Sequence, residues 1–238
     1  MCKGHSHSHD HHDHEAATID VAMEDNFMKA NDDLADENRS ILQQHGITAF
    51  DFMGAIGSGK TTLIGKITER LKDRYGIAIL NGDATTVDDF DESALEGAQM
   101  LQICTHGACH LDANMVANAL HNKIDLHKTD LMFIENVGNL VCPADFPLGS
   151  KKRVVVVSVS EGPYTVRKHT QMFIGAEIAV INKMEIADVM GIDVDALIDD
   201  IRTVNPNTKV VTTSCRTGKG LDKVLELLLE ESAPKVNA

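Results

Sequence analysis

From residue 47 onward, short apolar runs alternate with stretches whose apolar positions recur every three or four residues. The runs at 47–53, 77–81, 100–103, 131–134, 153–159, 177–181 and 209–213 have strand length, and most are continuous, as expected of strands buried on both faces. The stretches at 61–72, 111–121, 163–173, 194–203 and 220–230 have helical spacing. This alternation predicts an α/β domain with a mostly parallel sheet of about seven strands and crossover helices on both faces. Upstream, Val21, Phe27, Leu34 and Ile41 fall roughly a heptad apart, which predicts a helix over 19–45 that stops at Gly46. The chain thus divides into a polar tail over 1–18, expected to be disordered, and a single domain with an N-terminal helix over 19–238.

One connection in this pattern carries chemistry. Between the first strand and the first crossover helix lies Gly54-Ala-Ile-Gly57-Ser58-Gly59-Lys60-Thr61-Thr62. It fits the phosphate-binding loop GxxxxGK[ST] in the strand-to-helix context that the motif requires, that of a P-loop NTPase. Its glycines let backbone N–H groups close around phosphates, Lys60 can reach the β and γ oxygens, and the Thr61 hydroxyl is placed to ligate Mg²⁺. A glycine-rich turn that binds nothing has no need of Lys60 and Thr61 in register.

A carboxylate at the end of a nearby strand should hold the Mg²⁺ ion or its water shell. Asp83, after 77–81, and Glu135, after 131–134, are the candidates. Base choice is read at Asn182-Lys183-Met184-Glu185, similar to the NKxD element of GTPases with Glu in place of Asp. A carboxylate there matches the two donors on the N1–N2 edge of guanine, whereas adenine presents an acceptor. Ser214, in the loop after the last strand, resembles the backbone-donating loop of the same proteins.

The net charge of −14 argues against nucleic acid, whose phosphates need a cationic surface. No segment approaches the roughly 18 apolar residues of a membrane span, and the polar start lacks a signal-peptide core, so a cytoplasmic protein is expected. Five cysteines, odd in number and widely spaced, read as thiol or metal chemistry rather than a disulfide framework. Cys109-His110 places two strong metal ligands side by side, and Cys142 follows seven residues after Glu135. These donors suit Zn²⁺ or Ni²⁺. Cys104 and Cys215 read more simply as small hydrophobes, and His106 joins the same loop with no assigned role. If Glu135 senses Mg²⁺ and the γ-phosphate, hydrolysis moves a metal ligand through the hinge-capable link at Gly138. Three ligands leave a metal site incomplete, so a nucleotide- and metal-assisted homodimer is expected.

In the tail, His5, His7, His9, His11, His12 and His14 are interleaved with Ser and Asp, a composition that reads as labile metal binding. An engineered tag is the alternative, although plain hexahistidine lacks this mixture.

Taken together, Phe50-Asp-Phe-Met-Gly-Ala-Ile-Gly-Ser-Gly-Lys60, Cys109-His-Leu-Asp-Ala113 and Ile134-Glu-Asn-Val-Gly-Asn-Leu-Val-Cys-Pro-Ala-Asp-Phe146 resemble the HypB family of hydrogenase nickel-incorporation GTPases, of the SIMIBI class. The resemblance runs from about residue 20 to the C-terminus. It implies hydrolysis of GTP to GDP and phosphate during Ni²⁺ delivery to the large subunit of [NiFe]-hydrogenase, together with a HypA-like zinc metallochaperone. Cys109, His110 and Cys142 match the family's metal site; Lys60, Thr61, Asp83 and Glu135 match its nucleotide and magnesium positions. Glu185 departs from the usual Asp, and the CxxCGC motif of some members is absent at the amino terminus. A nickel buffer built on an idle GTPase scaffold is the rival reading. A small-molecule kinase is a third, in which Asn182-Lys183 and Cys109-His110 have no task.

Overall fold

The computed structural model describes residues 13–82 and 95–230, with side chains from residue 26 onward. Seven strands, all parallel, form one sheet: β1 (Thr48–Met53), β2 (Ile77–Asn81), β3 (Gln99–Gln102), β4 (Leu131–Glu135), β5 (Lys152–Ser158), β6 (Ile178–Asn182) and β7 (Lys209–Thr212). Their spatial order is β3-β2-β4-β1-β5-β6-β7. The chain runs outward from β1 in one direction through β2 and β3, and in the other through β5, β6 and β7. The reversal leaves a crevice beyond the carboxyl end of β1, where ligands of open α/β sheets bind.

Among the described residues the α-helices are α1 (Asp13–Gln44), α2 (Lys60–Leu71), α3 (Ala113–Asn122), α4 (Thr165–Lys168), α5 (Thr170–Ile174), α6 (Ala187–Met190), α7 (Val194–Val204) and α8 (Leu221–Leu229). They lie on both faces of the sheet because its central strands are apolar on both. Phe50, Phe52, Phe133, Val154 and Val156 face Leu63, Ile64 and Ile67 of α2 and Val224 and Leu228 of α8. On the other side, Ala49, Met132 and Ile134 pack with Leu42 of α1 and with Val116 and Leu120 of α3. Val155, Val157 and Ile181 pack there with Phe173 of α5 and with Leu197 and Ile201 of α7.

Several elements differ from the sequence pattern. α1 begins at Asp13 rather than at 19. The helix predicted over 163–173 is two short helices, because His169 leaves helical geometry at φ −129° and ψ 44°. Its N–H then closes the first helix on the carbonyls of Thr165 and Val166. β4 and β6 each reach one residue further than predicted, which makes Glu135 and Asn182 strand ends locked into the ladder rather than the first residues of loops.

Candidate nucleotide and metal site

The phosphate-binding loop leaves β1 at Gly54 and enters α2 at Lys60. Two of its glycines are required by close approach as well as by backbone geometry. Gly54 has φ +150°, and a Cβ there would stand 2.2 Å from the Val156 carbonyl oxygen. Gly59 has φ +100°, and its Cβ would meet Asn182 Nδ2 at 2.3 Å. Lys60 is buried, with Nζ donating to the carbonyls of Gly54 and Ala55. Ser58 is buried, its Oγ without a hydrogen-bond partner among the described residues, while Thr62 is exposed on α2.

The Thr61 hydroxyl donates to Glu135 Oε1 across 2.6 Å. Glu135 reaches this position because β4 lies next to β1, in register with Phe52. A hydroxyl and a carboxylate at this spacing beside an N–H-lined loop are the oxygen ligands that Mg²⁺ accepts, so the residues present fit that ion. Asp83 lies outside the described residues, as do His5, His7, His9, His11 and His12; the His14 side chain is likewise not described.

Asn182 braces the loop from the side. Its Nδ2 donates to the Ser58 carbonyl, and its Oδ1 accepts from the Cys215 N–H and the Thr213 hydroxyl. Lys183 turns the chain in the left-handed region at φ 64°. Glu185 follows at the surface, where a hydrogen bond from Ser214 and the charges of Arg216 and Lys183 hold its carboxyl below the usual range. The structure therefore brings Asn182, Lys183, Glu185 and Ser214 to one rim. Glu161, which sequence reasoning did not single out, lies within the fields of Lys60 and Lys183, but burial outweighs them and raises its carboxyl. Only its place in a capping box with Ser158 hints at it from the sequence.

The thiols and imidazole meet a short distance along the crevice. Cys109 Sγ donates to Cys142 Sγ across 2.8 Å, and His110 Nδ1 lies 3.6 Å from Cys109 Sγ. Ligand atoms of Cys109, His110 and Cys142 all fall within 4.8 Å of one another. The hydrogen bond to the Cys142 sulfur, followed by partial desolvation, raises the Cys109 thiol above its ordinary range. His110 stacks on Phe146, with centroids 3.8 Å apart at 18°, and burial lowers its pKa despite Asp112 and Asp145. A neutral imidazole is the form that ligates a metal.

What joins the two sites is the chain from Asn136 to Leu140. Asn136 Oδ1 accepts from the N–H groups of Leu111 and Val137, while its Nδ2 donates to buried Asp51. Asn139 pairs with Gly54 in an isolated antiparallel bridge, its Nδ2 donates to the Cys109 carbonyl, and its Oδ1 accepts from the Val141 N–H. Gly138 serves close approach: a Cβ there would stand 2.4 Å from Ile56 Cγ1. A cavity of about 760 Å³ lies elsewhere, lined by Arg39, Thr48, Lys151 and Arg153 at the amino ends of the central strands.

The family model described as "CobW/HypB/UreG, nucleotide-binding domain" matches residues 49–212. A probable hydrogenase maturation factor HypB from Methanocaldococcus jannaschii is 47% identical over 92% of this chain and 97% of its own. The chain belongs to the HypB family of hydrogenase maturation factors. The HypB of Escherichia coli K12 is 37% identical over 87% of this chain and 71% of its own length. Among solved structures, HypB from Archaeoglobus fulgidus superposes with a TM-score of 0.79 at 40% identity, covering 85% of this chain and 98% of that one. HypB from Helicobacter pylori in complex with nickel gives 0.78 at 33% identity, covering 85% and 95%. The α/β fold, the nucleotide-binding domain and the family expected from the sequence all hold. Among the described residues, no helix is long and apolar enough to cross a membrane.

Proposed function

We propose that this HypB-family chain hydrolyses GTP to GDP and phosphate, and uses the change to load and release Ni²⁺ for insertion into [NiFe]-hydrogenase. The observation that carries the reading is Asn139, whose backbone pairs with the phosphate loop at Gly54 while its side chain holds the Cys109 carbonyl. A shift of the loop on phosphate loss displaces the link after β4 that leads to Cys142. The backbone N–H groups of Gly57 to Thr61 receive the phosphates, and Lys60 moves from the loop carbonyls onto the β and γ oxygens. Thr61 and Glu135 would hold a Mg²⁺ ion, with Asp83 as a further candidate, and the ion would supply neutralising charge to the phosphates. Glu185 selects guanine through its N1 and N2 hydrogens, with Asn182 and Lys183 supporting the base.

Cys109, His110 and Cys142 take the Ni²⁺ cargo, or Zn²⁺ in its place, as three ligands that leave one position open. A second copy of the chain fills that position in a nucleotide- and metal-assisted homodimer, and a HypA-like zinc metallochaperone and the hydrogenase large subunit are the partners in transfer. The tail over 1–18 holds labile nickel through His5 to His14, next to the GTPase domain over 19–238. The setting is cytoplasmic. With no arginine finger or water-orienting glutamine identified in the sequence, turnover is slow until a partner docks.

The test is Ni²⁺ titration of the full chain, followed by thiolate-to-nickel absorption, once with GDP and once with a non-hydrolysable GTP analogue. A shift of about tenfold, some 1.4 kcal/mol, is expected. Equal affinities would sink the coupling, and absence of phosphate release from GTP would sink the enzymatic reading.

A further inference from the structure

The loop that carries Cys109 and His110 carries a second sulfur–imidazole pair. Cys104 Sγ lies 3.8 Å from His106 Nδ1, and both side chains are exposed. The pairing follows from the backbone. Ala108 N–H donates to the Thr105 carbonyl across 3.0 Å and closes a four-residue turn. Its central residues, His106 and Gly107, have φ of 51° and 93°, the doubly positive pattern of a type I′ reversal. Glycine adopts this readily, whereas histidine does so at a cost. Among the described residues outside glycine, only Lys183 shares the left-handed conformation, and it sits in the base-reading element. The reversal places Cys104 just before the turn and Cys109 just after it.

The separation is chemically informative. With a metal–sulfur bond of about 2.3 Å and a metal–nitrogen bond of about 2.0–2.1 Å, tetrahedral angles set the two ligand atoms about 3.6 Å apart. Cys109 Sγ and His110 Nδ1 stand at 3.6 Å, and Cys104 Sγ and His106 Nδ1 at 3.8 Å. Two pairs on one seven-residue stretch thus have nearly the same bite. They differ in completeness: Cys142 supplements the first, while no third His, Cys, Asp or Glu ligand among the described residues joins the second.

We propose that Cys104 and His106 form a separate two-ligand docking site for a borderline divalent cation, Ni²⁺ or Zn²⁺. It receives the ion and passes it around the turn to Cys109, His110 and Cys142. Two protein ligands leave the remaining positions to water, so binding there is weaker and exchange faster than at the three-ligand site, as a loading station requires. The ion changes ligands without redox change; the Cys104 thiol loses its proton to solvent on binding and regains it on transfer. The site exists whether or not nucleotide controls the neighbouring one.

Nickel alone is the probe, read by thiolate-to-nickel charge-transfer absorption, to which the histidine tract contributes nothing. In the full chain carrying Cys2→Ser, Cys109→Ser and Cys142→Ser, one further equivalent of Ni²⁺ should produce such a band. Adding Cys104→Ser should abolish it, and adding His106→Ala should weaken binding at least tenfold. No band in the triple variant, or a band that survives Cys104→Ser, overturns the site. Circular dichroism checks that the triple variant remains folded. Should it unfold, the deciding measurement is stopped-flow loading of the otherwise native chain. There Cys104→Ser should slow the filling of the Cys109–Cys142 site several-fold and leave its equilibrium affinity unchanged; an unchanged rate overturns the relay. Neither readout depends on GTP, so failure here is distinct from failure of the nucleotide switch.

Discussion

The side chain of Asn139 donates to the Cys109 carbonyl across 3.3 Å while its backbone pairs with Gly54, so one residue touches both the metal loop and the phosphate loop. Removing the side chain leaves the bridge to Gly54 but frees Cys109 and Val141. In Asn139→Ala, loss of one or two such hydrogen bonds, about 1 kcal/mol each, should weaken Ni²⁺ binding about 5- to 30-fold. The ratio of affinities with GDP and with a GTP analogue should fall toward unity. Competition titration against a chelator measures both.

Thr61 and Glu135 are joined across 2.6 Å and fit one magnesium ion. Thr61→Ala removes a ligand oxygen without altering the loop glycines. Hydrolysis of GTP should drop on the order of a hundredfold, with a higher Mg²⁺ requirement, because charge stabilisation by the ion supplies several kcal/mol. Phosphate release at graded Mg²⁺ is the assay; an unchanged magnesium dependence would remove Thr61 from the site.

Glu185 is poised as a carboxylate by Ser214, Arg216 and Lys183. Glu185→Ala should lower GTP affinity about 10- to 100-fold, the range for hydrogen bonds to a charged group, and leave the weak binding of ATP unaltered. Glu185→Asp, which restores the usual residue of the NKxD element, should retain the preference for guanine. Fluorescent-nucleotide displacement reads both affinities.

Gly59 has no room for a side chain, since a Cβ would meet Asn182 Nδ2 at 2.3 Å in a backbone region that L-residues avoid. Gly59→Ala must displace either Asn182 or the loop. Nucleotide binding should be lost, and hydrogen exchange should rise around Ser58 and Cys215, the two backbone partners of Asn182.

Buried Asp51 has its carboxyl raised from 3.8 to about 6, chiefly by burial, against the opposing effects of Arg153 and Asn136. Between these values the folded chain holds a proton that the unfolded chain has lost, so stability from this group is greatest below pH 4 and declines as pH rises through 6. The full cost is on the order of 3 kcal/mol at neutral pH. Asp51→Asn should therefore be more stable than the native chain at pH 7.5, and the difference should vanish near pH 4. Urea unfolding at several pH values gives the comparison.

The expectation of alternating strands and helices survived because each strand is a local apolar run whose burial does not depend on which neighbour it finds. Boundaries were less legible. His169 interrupts a helically spaced segment through its own dihedral angles, which apolar periodicity does not report. α6, four residues long, follows the Asn182–Glu185 loop without a pattern of its own. Gly138 read as a hinge in the sequence, yet the fold uses it to let the link approach Ile56.

The sequence by itself determined the strand–loop–helix that cradles phosphate, because its glycines, Lys60 and Thr61 act within one turn of chain. It also determined the adjacent pair Cys109-His110 and, through the resemblance, the residues that share their site. Tertiary structure alone decided that Phe146 stacks on His110 and that Asn182 supports Ser58 across 124 residues, and it set the 2.8 Å approach of Cys142 to Cys109. Those contacts depend on strand order, above all on β4 and β5 flanking β1. Hydrophobic periodicity records which face of an element is buried, but not which element will cover it.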